Sequence, residues 1–142
     1  MAMLGNPPKI LPIIEVNHST LPKKFIPIDS FEVKWIYEEN EGGHEHFICP
    51  AKIDKDLKNK LEKICYQAWE VLNVKDWCRI DIRWDEKQNP YFLEINIPAG
   101  LIPPEVSTTS YFPLAGRIAG IDYKTLLKTI INSAFKRYEI RS

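Results

Sequence analysis

The sequence lacks an excess of charge of either sign. Its 142 residues include 19 basic and 19 acidic side chains, and the formal net charge is zero. Proteins that attract nucleic acid or an anionic membrane surface over a distance carry a basic excess. The composition therefore argues against nucleic-acid and membrane partners. It favours small molecules that are recognised by a local site.

Long apolar runs and paired cysteines are lacking as well. No stretch reaches the roughly 18 apolar residues of a membrane span, and Met1–Gly5 is too short to contain a signal peptide. The three cysteines, Cys49, Cys65 and Cys78, are widely spaced and form no Cys-x-x-Cys motif. We predict that they are reduced thiols in the core of a cytoplasmic protein.

Length and composition predict one globular domain. Hydrophobic residues make up 44% of the chain and charged residues 27%, which is ordinary for a folded protein. Domains of about 100–150 residues are the commonest size. Neither a disordered chain nor a membrane protein is indicated.

Helical periodicity is clearest in the middle of the chain. Between Asp54 and Asn73, apolar residues recur every three or four positions and predict an amphipathic helix, with Asp54 as its cap and Asn73 at its end. A second amphipathic helix is predicted from Tyr123 to about Tyr138. The short apolar segment Tyr111–Ala119 precedes it and stops at Gly120.

The first third of the chain reads as irregular or extended structure. Prolines recur between Pro7 and Pro27, which disfavours helix. We predict a strand at Ile10–Val16 and interpret Phe31–Tyr37 as a second, short strand. The polar stretch Glu38–Glu45, which contains Gly42-Gly43, is expected to be a mobile loop.

Two runs with period-two alternation, Trp77–Asp85 and Tyr91–Ile97, predict a β-hairpin. Each predicted strand has a polar face and an apolar face. The polar faces carry Arg79, Asp81 and Arg83 in the first strand and Phe92, Glu94 and Asn96 in the second.

The turn sets the register of this hairpin. If the turn comprises Glu86–Asn89, the two carboxylates of Asp81 and Glu94 lie directly opposite each other, and Arg79 lies opposite Asn96. Opposed like charges destabilise an antiparallel pair, so the arrangement needs a shared proton or a cation between the acids. Hard oxygen ligands suit Mg²⁺ better than zinc or copper.

A plainer interpretation of the same face stays open. Charged strand faces are common on the outside of sheets, and Arg79 and Arg83 could neutralise the acids without any metal. Two histidines, His44 and His46, lie in the polar stretch Gly-Gly-His-Glu-His. Histidines in such a stretch are usually solvated, so we do not include them in the predicted site.

These residues belong to a longer pattern. It comprises Trp77-Cys78-Arg79-Ile80-Asp81-Ile82-Arg83, Tyr91-Phe92-Leu93-Glu94-Ile95-Asn96, Gly100, Ser110-Tyr111-Phe112-Pro113 and Ala119-Gly120-Ile121-Asp122-Tyr123-Lys124-Thr125-Leu126-Leu127. In order and spacing it resembles the C-terminal part of D-alanine–D-alanine ligases, which are ATP-grasp enzymes. Upstream, Met3-Leu4-Gly5-Asn6, Glu32-Val33-Lys34-Trp35 and Phe47-Ile48-Cys49-Pro50-Ala51 resemble the same family. Essentially the whole chain is covered.

The resemblance implies a metal site and a mechanism. In this family ATP phosphorylates the carboxylate of one amino acid, and the amine of a second attacks the acyl phosphate to form a peptide bond. By resemblance, Asp81 and Glu94 bind Mg²⁺ or Mn²⁺, Glu94 bridges two ions, and Asn96 completes the ligands of the second ion. Arg79 steadies the acyl phosphate and the tetrahedral intermediate.

The remaining implied site residues lie outside the hairpin. Gly100 matches a glycine whose backbone amide contributes to an oxyanion site, and Lys34 matches a lysine on a mobile loop that reaches the phosphate. Ser110 matches the serine that holds the carboxylate of the second substrate, with Ser107 as a rival. Trp35 stands where the family usually has tyrosine, which leaves the choice of amino acids open.

The resemblance also implies a fold and an incomplete enzyme. We expect residues 1–142 to form the C-terminal, metal-binding portion of an ATP-grasp domain, an α/β (α+β) subdomain with a mostly antiparallel sheet and packed helices. The family's N-terminal domain and ATP lid have no counterpart in these residues. The expected function is that of a cytoplasmic ligase of peptidoglycan biosynthesis that is inactive as this chain alone and prone to self-association. Two alternatives are a ligase for other amino acids and a non-catalytic nucleotide- or metal-binding module that acts with a partner.

Overall fold

The computed structural model of the protein describes residues 1–37 and 46–138, with Trp35 described by its backbone only. The strands are Ala2–Leu4 (β1), Lys9–Ile10 (β2), Glu15–Val16 (β3), Phe47–Ile48 (β4), Trp77–Trp84 (β5) and Pro90–Asn96 (β6). The longer helices are Lys55–Val71 (α1), Tyr111–Ile118 (α2) and Tyr123–Arg137 (α3), and shorter helical turns span His18–Thr20 and Glu32–Tyr37.

The strands form two sheets. A four-stranded sheet has the order β2-β1-β5-β6, and β3 pairs with β4 in a separate two-stranded sheet. Each of these strand pairs is antiparallel. The predicted α+β fold with an antiparallel sheet and packed helices is confirmed.

Helices cover both faces of the four-stranded sheet. On one face, against α1, the buried cluster comprises Met3, Cys65, Trp69, Val74, Cys78 and Ile80. On the other face, against α2 and α3, it comprises Ala2, Leu4, Leu11, Ala99, Phe112, Ala115, Leu126 and Ile130. Because side chains alternate along β5 and Cys78 and Ile80 face α1, Arg79 and Asp81 point to the side of α2 and α3. The candidate site therefore shares a sheet face with the second cluster.

The two predicted amphipathic helices are confirmed nearly to the residue. Asp54 caps α1, and its Oδ1 accepts a hydrogen bond of 2.8 Å from the amide of Leu57. Just beyond the end of α1, Asn73 has φ +51°, the left-handed conformation that commonly ends a helix. Asp122 caps α3 in the same way as Asp54 caps α1, through the amide of Thr125.

The apolar segment before α3 is itself a helix, α2. It ends just before Gly120, whose φ of +77° an L side chain would adopt only with strain. The amide of Gly120 donates to the carbonyl of Arg117, and that of Ile121 donates to the carbonyl of Gly116. The predicted stop at Gly120 is therefore confirmed.

The strand proposed at Phe31–Tyr37 is wrong. Residues Glu32–Tyr37 form a wide helical turn of the π type. Ser30 starts this turn: its carbonyl accepts from the amide of Lys34 at 2.9 Å, and its hydroxyl accepts from the amide of Val33 at 3.3 Å. A serine placed before a turn offers the backbone these local hydrogen bonds, and they outweigh the weak alternation on which the strand was based.

The strand predicted at Ile10–Val16 is confirmed only in part. The chain pairs as β2 and again as β3, and Pro12 lies in the gap between them. Proline has no N–H for a ladder bond, and Leu11 donates instead to the carbonyl of Ala2 at 2.9 Å. The segment therefore changes from one sheet to the other.

The cysteines are free thiols, and two of them lie in the core as predicted. Cys65 and Cys78 are fully buried. Burial raises the pKa of the Cys65 thiol to about 11 and that of Cys78 to about 12, so both stay protonated. Among the described residues, no helix is both long and apolar enough to cross a bilayer.

The expectation of two solvated histidines fails for the one that the structure describes. His46 is buried, and its ring lies 4.2 Å from the ring of Phe47. Its carbonyl accepts from the amide of Asn17, so it is part of the junction beside the β3–β4 sheet. His44 and the polar stretch Glu38–Glu45 lie outside the described residues.

Candidate functional site

The β5–β6 hairpin places two carboxylates opposite each other. Asp81 pairs with Glu94, and Arg79 pairs with Asn96, as the sequence predicted. The turn was predicted wrongly, however. Trp84 rather than Asp85 pairs with Pro90, so the turn comprises five residues, and a register shift follows between Asp81 and Ile82.

Leu93 is the extra residue at that register shift. Ile82 pairs with Phe92, and Asp81 pairs with Glu94, so Leu93 has no partner of its own. Such a bulge changes the pairing of a strand by one residue and often lies beside a functional site. It also places Phe92 beside Ile82 instead of on the polar face, which corrects the predicted face of Phe92.

Arg79 offsets one of the two negative charges of the opposed acids. Its Nε donates to Asp81 Oδ1 at 2.8 Å, and its Nη2 donates to Asp81 Oδ2 at 2.7 Å. The same Nη2 lies 3.6 Å from Glu94 Oε1. Burial lowers the pKa of the Arg79 guanidinium, but the hydrogen bonds and the charge of Asp81 more than offset it, and the net pKa is raised. The guanidinium therefore remains a fixed cation.

Asn96 completes this arrangement. Its Nδ2 donates to Glu94 Oε1 at 2.9 Å and lies 3.4 Å from Asp81 Oδ2. The carboxylates differ in exposure: the side chain of Asp81 is 28% exposed and that of Glu94 is 61% exposed. The pair therefore opens to solvent on the side of Glu94.

Tyr111 links this cluster to the segment that carries Lys34. Its hydroxyl donates to Asp29 Oδ2 at 2.9 Å, and the Nζ of Lys34 lies 4.0 Å from the same oxygen. The guanidinium carbon of Arg79 lies 5.1 Å from the centre of the Tyr111 ring, and Lys34 Nζ lies 5.2 Å from it. Both distances are within the range of cation–π attraction. One ring thus brings two cations from distant parts of the sequence to the same place.

A cleft of about 820 Å³ opens over these groups. Its charged wall includes Lys34, Arg79, Asp81, Arg83 and Glu94. Its apolar wall includes Ile28, Ile82, Trp84 and Leu93. A cleft with an apolar wall and a few convergent charges is the usual form of a small-molecule site.

Ser110 and its rival Ser107 differ in their hydrogen bonds. Ser107 Oγ lies 3.2 Å from the hydroxyl of Thr109, and the two bond to each other. Ser110 precedes α2, and its hydroxyl makes no hydrogen bond to any residue that the structure describes. Its neighbour Tyr111 lines the cleft. Neither serine lines the cleft formed by the described residues, so the assignment of Ser110 stays a prediction.

Gly100 does not line the cleft formed by the described residues, but its backbone is held on both sides. The indole Nε1 of Trp77 donates to the carbonyl of Ala99 at 3.1 Å, and the hydroxyl of Tyr123 donates to the carbonyl of Leu101 at 2.7 Å. The amide of Gly100 itself makes no hydrogen bond to the described part of the chain. A fixed peptide with an unused N–H is what an oxyanion site requires.

The indole bond gives a test of this anchoring. Trp77→Phe would leave the buried carbonyl of Ala99 without its donor, which should cost about 1–3 kcal/mol of unfolding free energy. Trp84→Phe is the matched control, because the Trp84 indole makes no hydrogen bond among the described residues. Urea unfolding of both variants measures the difference. Equal losses would mean that the indole hydrogen bond is not what anchors the loop.

Comparison with known proteins assigns the family. The model of the D-ala D-ala ligase C-terminus matches residues 1–132. The chain belongs to this family.

Three similar proteins illustrate the match. The D-alanine–D-alanine ligase of Nitrosococcus oceani is 27% identical over 131 residues, which cover 89% of this chain and 40% of that protein. An uncharacterized protein of Sinorhizobium fredii is 32% identical over 139 residues, 97% of this chain and 38% of that one. The crystal structure of D-alanine–D-alanine ligase from Bacillus anthracis complexed with ATP superimposes with a TM-score of 0.66 at 20% identity, covering 97% of this chain and 38% of that one. The chain spans about two fifths of the length of these relatives.

The side chains of the ligase-like site fit a hard divalent cation. Two carboxylates and one amide supply only oxygen donors, and the exposed side of Glu94 leaves room for further ligands such as phosphate oxygens. In the present arrangement Arg79 occupies both oxygens of Asp81, and the amide nitrogen of Asn96 faces the acids. No group of three or more histidine, cysteine or acidic side chains suited to a metal occurs in residues 1–37 and 46–138.

Sequence reasoning missed two parts of this site. Asp29 was not singled out, and Tyr111 was noted only as part of a family motif. Their contact joins residues 82 positions apart, which no local pattern reveals. The plainer interpretation of the polar face holds for Arg79, which neutralises Asp81, but not for Arg83, which pairs with no acid among the described residues.

Proposed function

We propose that this chain is the metal- and phosphate-binding part of an ATP-dependent carboxylate–amine ligase of the D-alanine–D-alanine ligase type. The observation that carries the proposal is the meeting of two opposed acids with Arg79 and Lys34 around one cleft. Its cofactors would be ATP and Mg²⁺ or Mn²⁺, and its substrates amino acids. The family match supports the reaction class.

The proposed reaction has two steps. A carboxylate oxygen of the first amino acid attacks the γ-phosphorus of ATP, the bond to the β–γ bridging oxygen breaks, and ADP leaves. The amine of the second amino acid then attacks the acyl carbon, loses a proton, and expels phosphate to leave an amide. Negative charge builds first on phosphoryl oxygens and then on one oxygen of a tetrahedral carbon. Positioning and electrostatic stabilisation are therefore the main tasks of the protein.

The acids and the cations of the cleft have separate roles in this proposal. Asp81, Glu94 and Asn96 would hold the divalent cation, which when bound would offset the charge of the nucleotide phosphates. Arg79 would stabilise charge on the transferred phosphoryl group and on the tetrahedral carbon. Lys34, held near Tyr111 and Asp29, would contact the phosphate from the opposite wall.

The acceptor end of the site is proposed from the loop before α2. The Ser110 hydroxyl would bind the carboxylate of the second amino acid, close to the amides at the start of α2, where a helix favours negative charge. The amide of Gly100 would donate to the oxygen of the tetrahedral carbon. Tyr111 lies between Ser110 and Arg79 and would narrow this end of the cleft, so it bears on which amino acids fit. Ligases for other amino acids therefore stay within the proposal.

Binding and turnover of the purified chain test the proposal. We expect ATP to bind in the presence of Mg²⁺, more weakly than micromolar, because the chain spans about two fifths of its relatives and few contacts must offset the cost of association. We expect no ADP release with D-alanine. NMR titration with ATP, in Mg²⁺ and in EDTA, gives the affinity, and a coupled assay gives ADP release.

The outcomes of that experiment separate the candidates. Failure to bind ATP even at millimolar concentration would contradict the proposal. Metal-dependent ADP release by the chain alone would show a self-sufficient ligase. Binding that is indifferent to metal would favour the second candidate, a nucleotide-binding module without catalysis. Exposed apolar side chains such as Ile26 and Val71 further lead us to expect self-association.

A further inference from the structure

Arg83 is a cation in the cleft that has no acidic partner in the part of the chain that the structure describes. It lies on β5 two residues beyond Asp81, on the same face as Asp81 and Arg79, and it lines the cleft. Among the described residues, no acid lies within ion-pair distance of its guanidinium. Arg79, by contrast, is bonded twice to Asp81.

The acids near Arg83 are engaged elsewhere. Asp81 accepts both hydrogen bonds from Arg79. Asp85, the other neighbouring acid along the strand, accepts from the amides of Lys87 and Asn89, from Asn89 Nδ2 and from the hydroxyl of Tyr91. The turn therefore occupies the carboxylate of Asp85. Among residues 1–37 and 46–138, no acid pairs with the Arg83 guanidinium, which is available to an anion in the cleft.

The cleft has a direction along β5. At the Arg79 end, the ring of Tyr111 lies 5.1 Å from the guanidinium, and Ser110 is its neighbour in sequence. Toward the other end, the indole of Trp84 follows Arg83 along β5 and lines the cleft. The reacting groups therefore belong at the Arg79 end, and a nucleoside fits the apolar end.

Arg83 lies between the opposed acids and this apolar end. Successive residues on one strand face are about 6.8 Å apart, so Arg83 follows Asp81 at about that distance along β5. This spacing matches the step along the phosphate chain of a nucleotide from its metal-bound phosphates toward the sugar. Resting on the proposed function, we propose that Arg83 binds the α-phosphate of the nucleotide. This role differs from that of Arg79, which lies at the transferred phosphate.

Ligand truncation combined with one substitution tests the assignment. The purified chain and its Arg83→Met variant are titrated with ADP and Mg²⁺, with AMP, and with adenosine, followed by NMR of the protein and by the ³¹P shift of the α-phosphorus. We expect binding of ADP and AMP to weaken by about tenfold, the α-phosphorus to lose its shift on binding, and adenosine binding to stay unchanged. Lys87→Met is the matched control, since it removes one positive charge from the exposed turn of the same hairpin and should change none of these values.

Each result decides the matter. An equal loss for adenosine would place Arg83 at the nucleoside and overturn the phosphate assignment. Wild-type binding of ADP that needs Mg²⁺, with no change in Arg83→Met, would overturn this inference and leave the proposed function standing. Absence of ADP binding by the wild-type chain would overturn both. Thermal unfolding of Arg83→Met within 2–3 °C of wild type, roughly the effect of a neutral surface change, verifies that the variant is folded.

Discussion

Arg79→Met is expected to lower kcat by roughly 100-fold or more in a full-length ligase that carries this chain. The physical reason is that Arg79 is a fixed, half-buried cation beside the two acids and has no freedom to lose its charge. A donor already oriented toward developing negative charge needs no reorganisation during the reaction. Methionine keeps an unbranched apolar stem but is shorter and lacks the guanidinium, so the charge and its hydrogen bonds are removed. Steady-state ADP release, with kcat and KM measured for both amino acids, checks the result.

The structure adds a second readout to this prediction, because Arg79 is bonded to both oxygens of Asp81, a proposed metal ligand. With Arg79 removed, Asp81 loses the two hydrogen bonds that occupy its oxygens. Binding of Mg²⁺ or Mn²⁺ to the chain without nucleotide should then strengthen, while kcat falls. Arg79→Lys is the matched control, because it keeps the charge and loses the bidentate geometry. Its kcat and its metal affinity should lie between those of the wild type and of Arg79→Met. An unchanged kcat in a folded Arg79→Met protein would remove Arg79 from the mechanism.

Glu94→Gln is expected to abolish the thermal stabilisation that Mg²⁺ or Mn²⁺ gives to the chain. Loss of one of the two opposed carboxylates removes half of the negative charge available to the ion and the more exposed of the two ligands. For the wild-type chain, metal at about 100 times its dissociation constant should raise the free energy of unfolding by about 2.7 kcal/mol. Differential scanning fluorimetry over a range of metal concentrations measures this directly.

The variant should also be slightly more stable than the wild type when no metal is present. Removing one of two facing negative charges relieves repulsion, but Arg79 and Asn96 already offset most of it, so the gain should be small. Glu86→Gln is the matched control, because it makes the same chemical change in the exposed hairpin turn. Should Glu94→Gln and Glu86→Gln respond to metal as the wild type does, the opposed acids would not be the metal site.

The sequence predicted the parts of the fold that depend on local patterns. The capped helix α1, the amphipathic helix α3 and the existence of the β5–β6 hairpin all follow from periodicity together with short-range hydrogen bonds, such as that of Asp54 with the amide of Leu57. The wide helical turn at Glu32–Tyr37 was missed because its apolar and charged residues alternate as in a strand. Its hydrogen bonds to Ser30 decided the outcome.

The opposed carboxylates were predicted correctly for a reason that was partly wrong. A four-residue turn with regular pairing and a five-residue turn followed by one extra residue both set Asp81 opposite Glu94. Alternation along the sequence does not distinguish the two, because the bulge at Leu93 interrupts it. The local pattern therefore gave the correct pairing at the site and the wrong face for Phe92.

The links around Tyr111 were beyond sequence reasoning of this kind. Tyr111, Asp29 and Lys34 lie in segments that are far apart in sequence and meet only through packing. The hydrogen bonds that Asp85 accepts within its own turn could not be predicted from the sequence either, because any of several donors could have bonded to that carboxylate. The sequence named the candidate site residues, whereas the structure shows which side chains they contact.

The extra residue in β6 also has a consequence for the chemistry that one strand can present. A regular strand turns successive side chains to opposite faces of the sheet. At the bulge Leu93 has no partner on β5, and both Leu93 and its neighbour Glu94 line the cleft. Two adjacent residues thus present an apolar contact and an ionic contact to a single ligand. Exchanging Leu93 alone offers a way to alter which aromatic or sugar groups are accommodated, without disturbing the charge beside it.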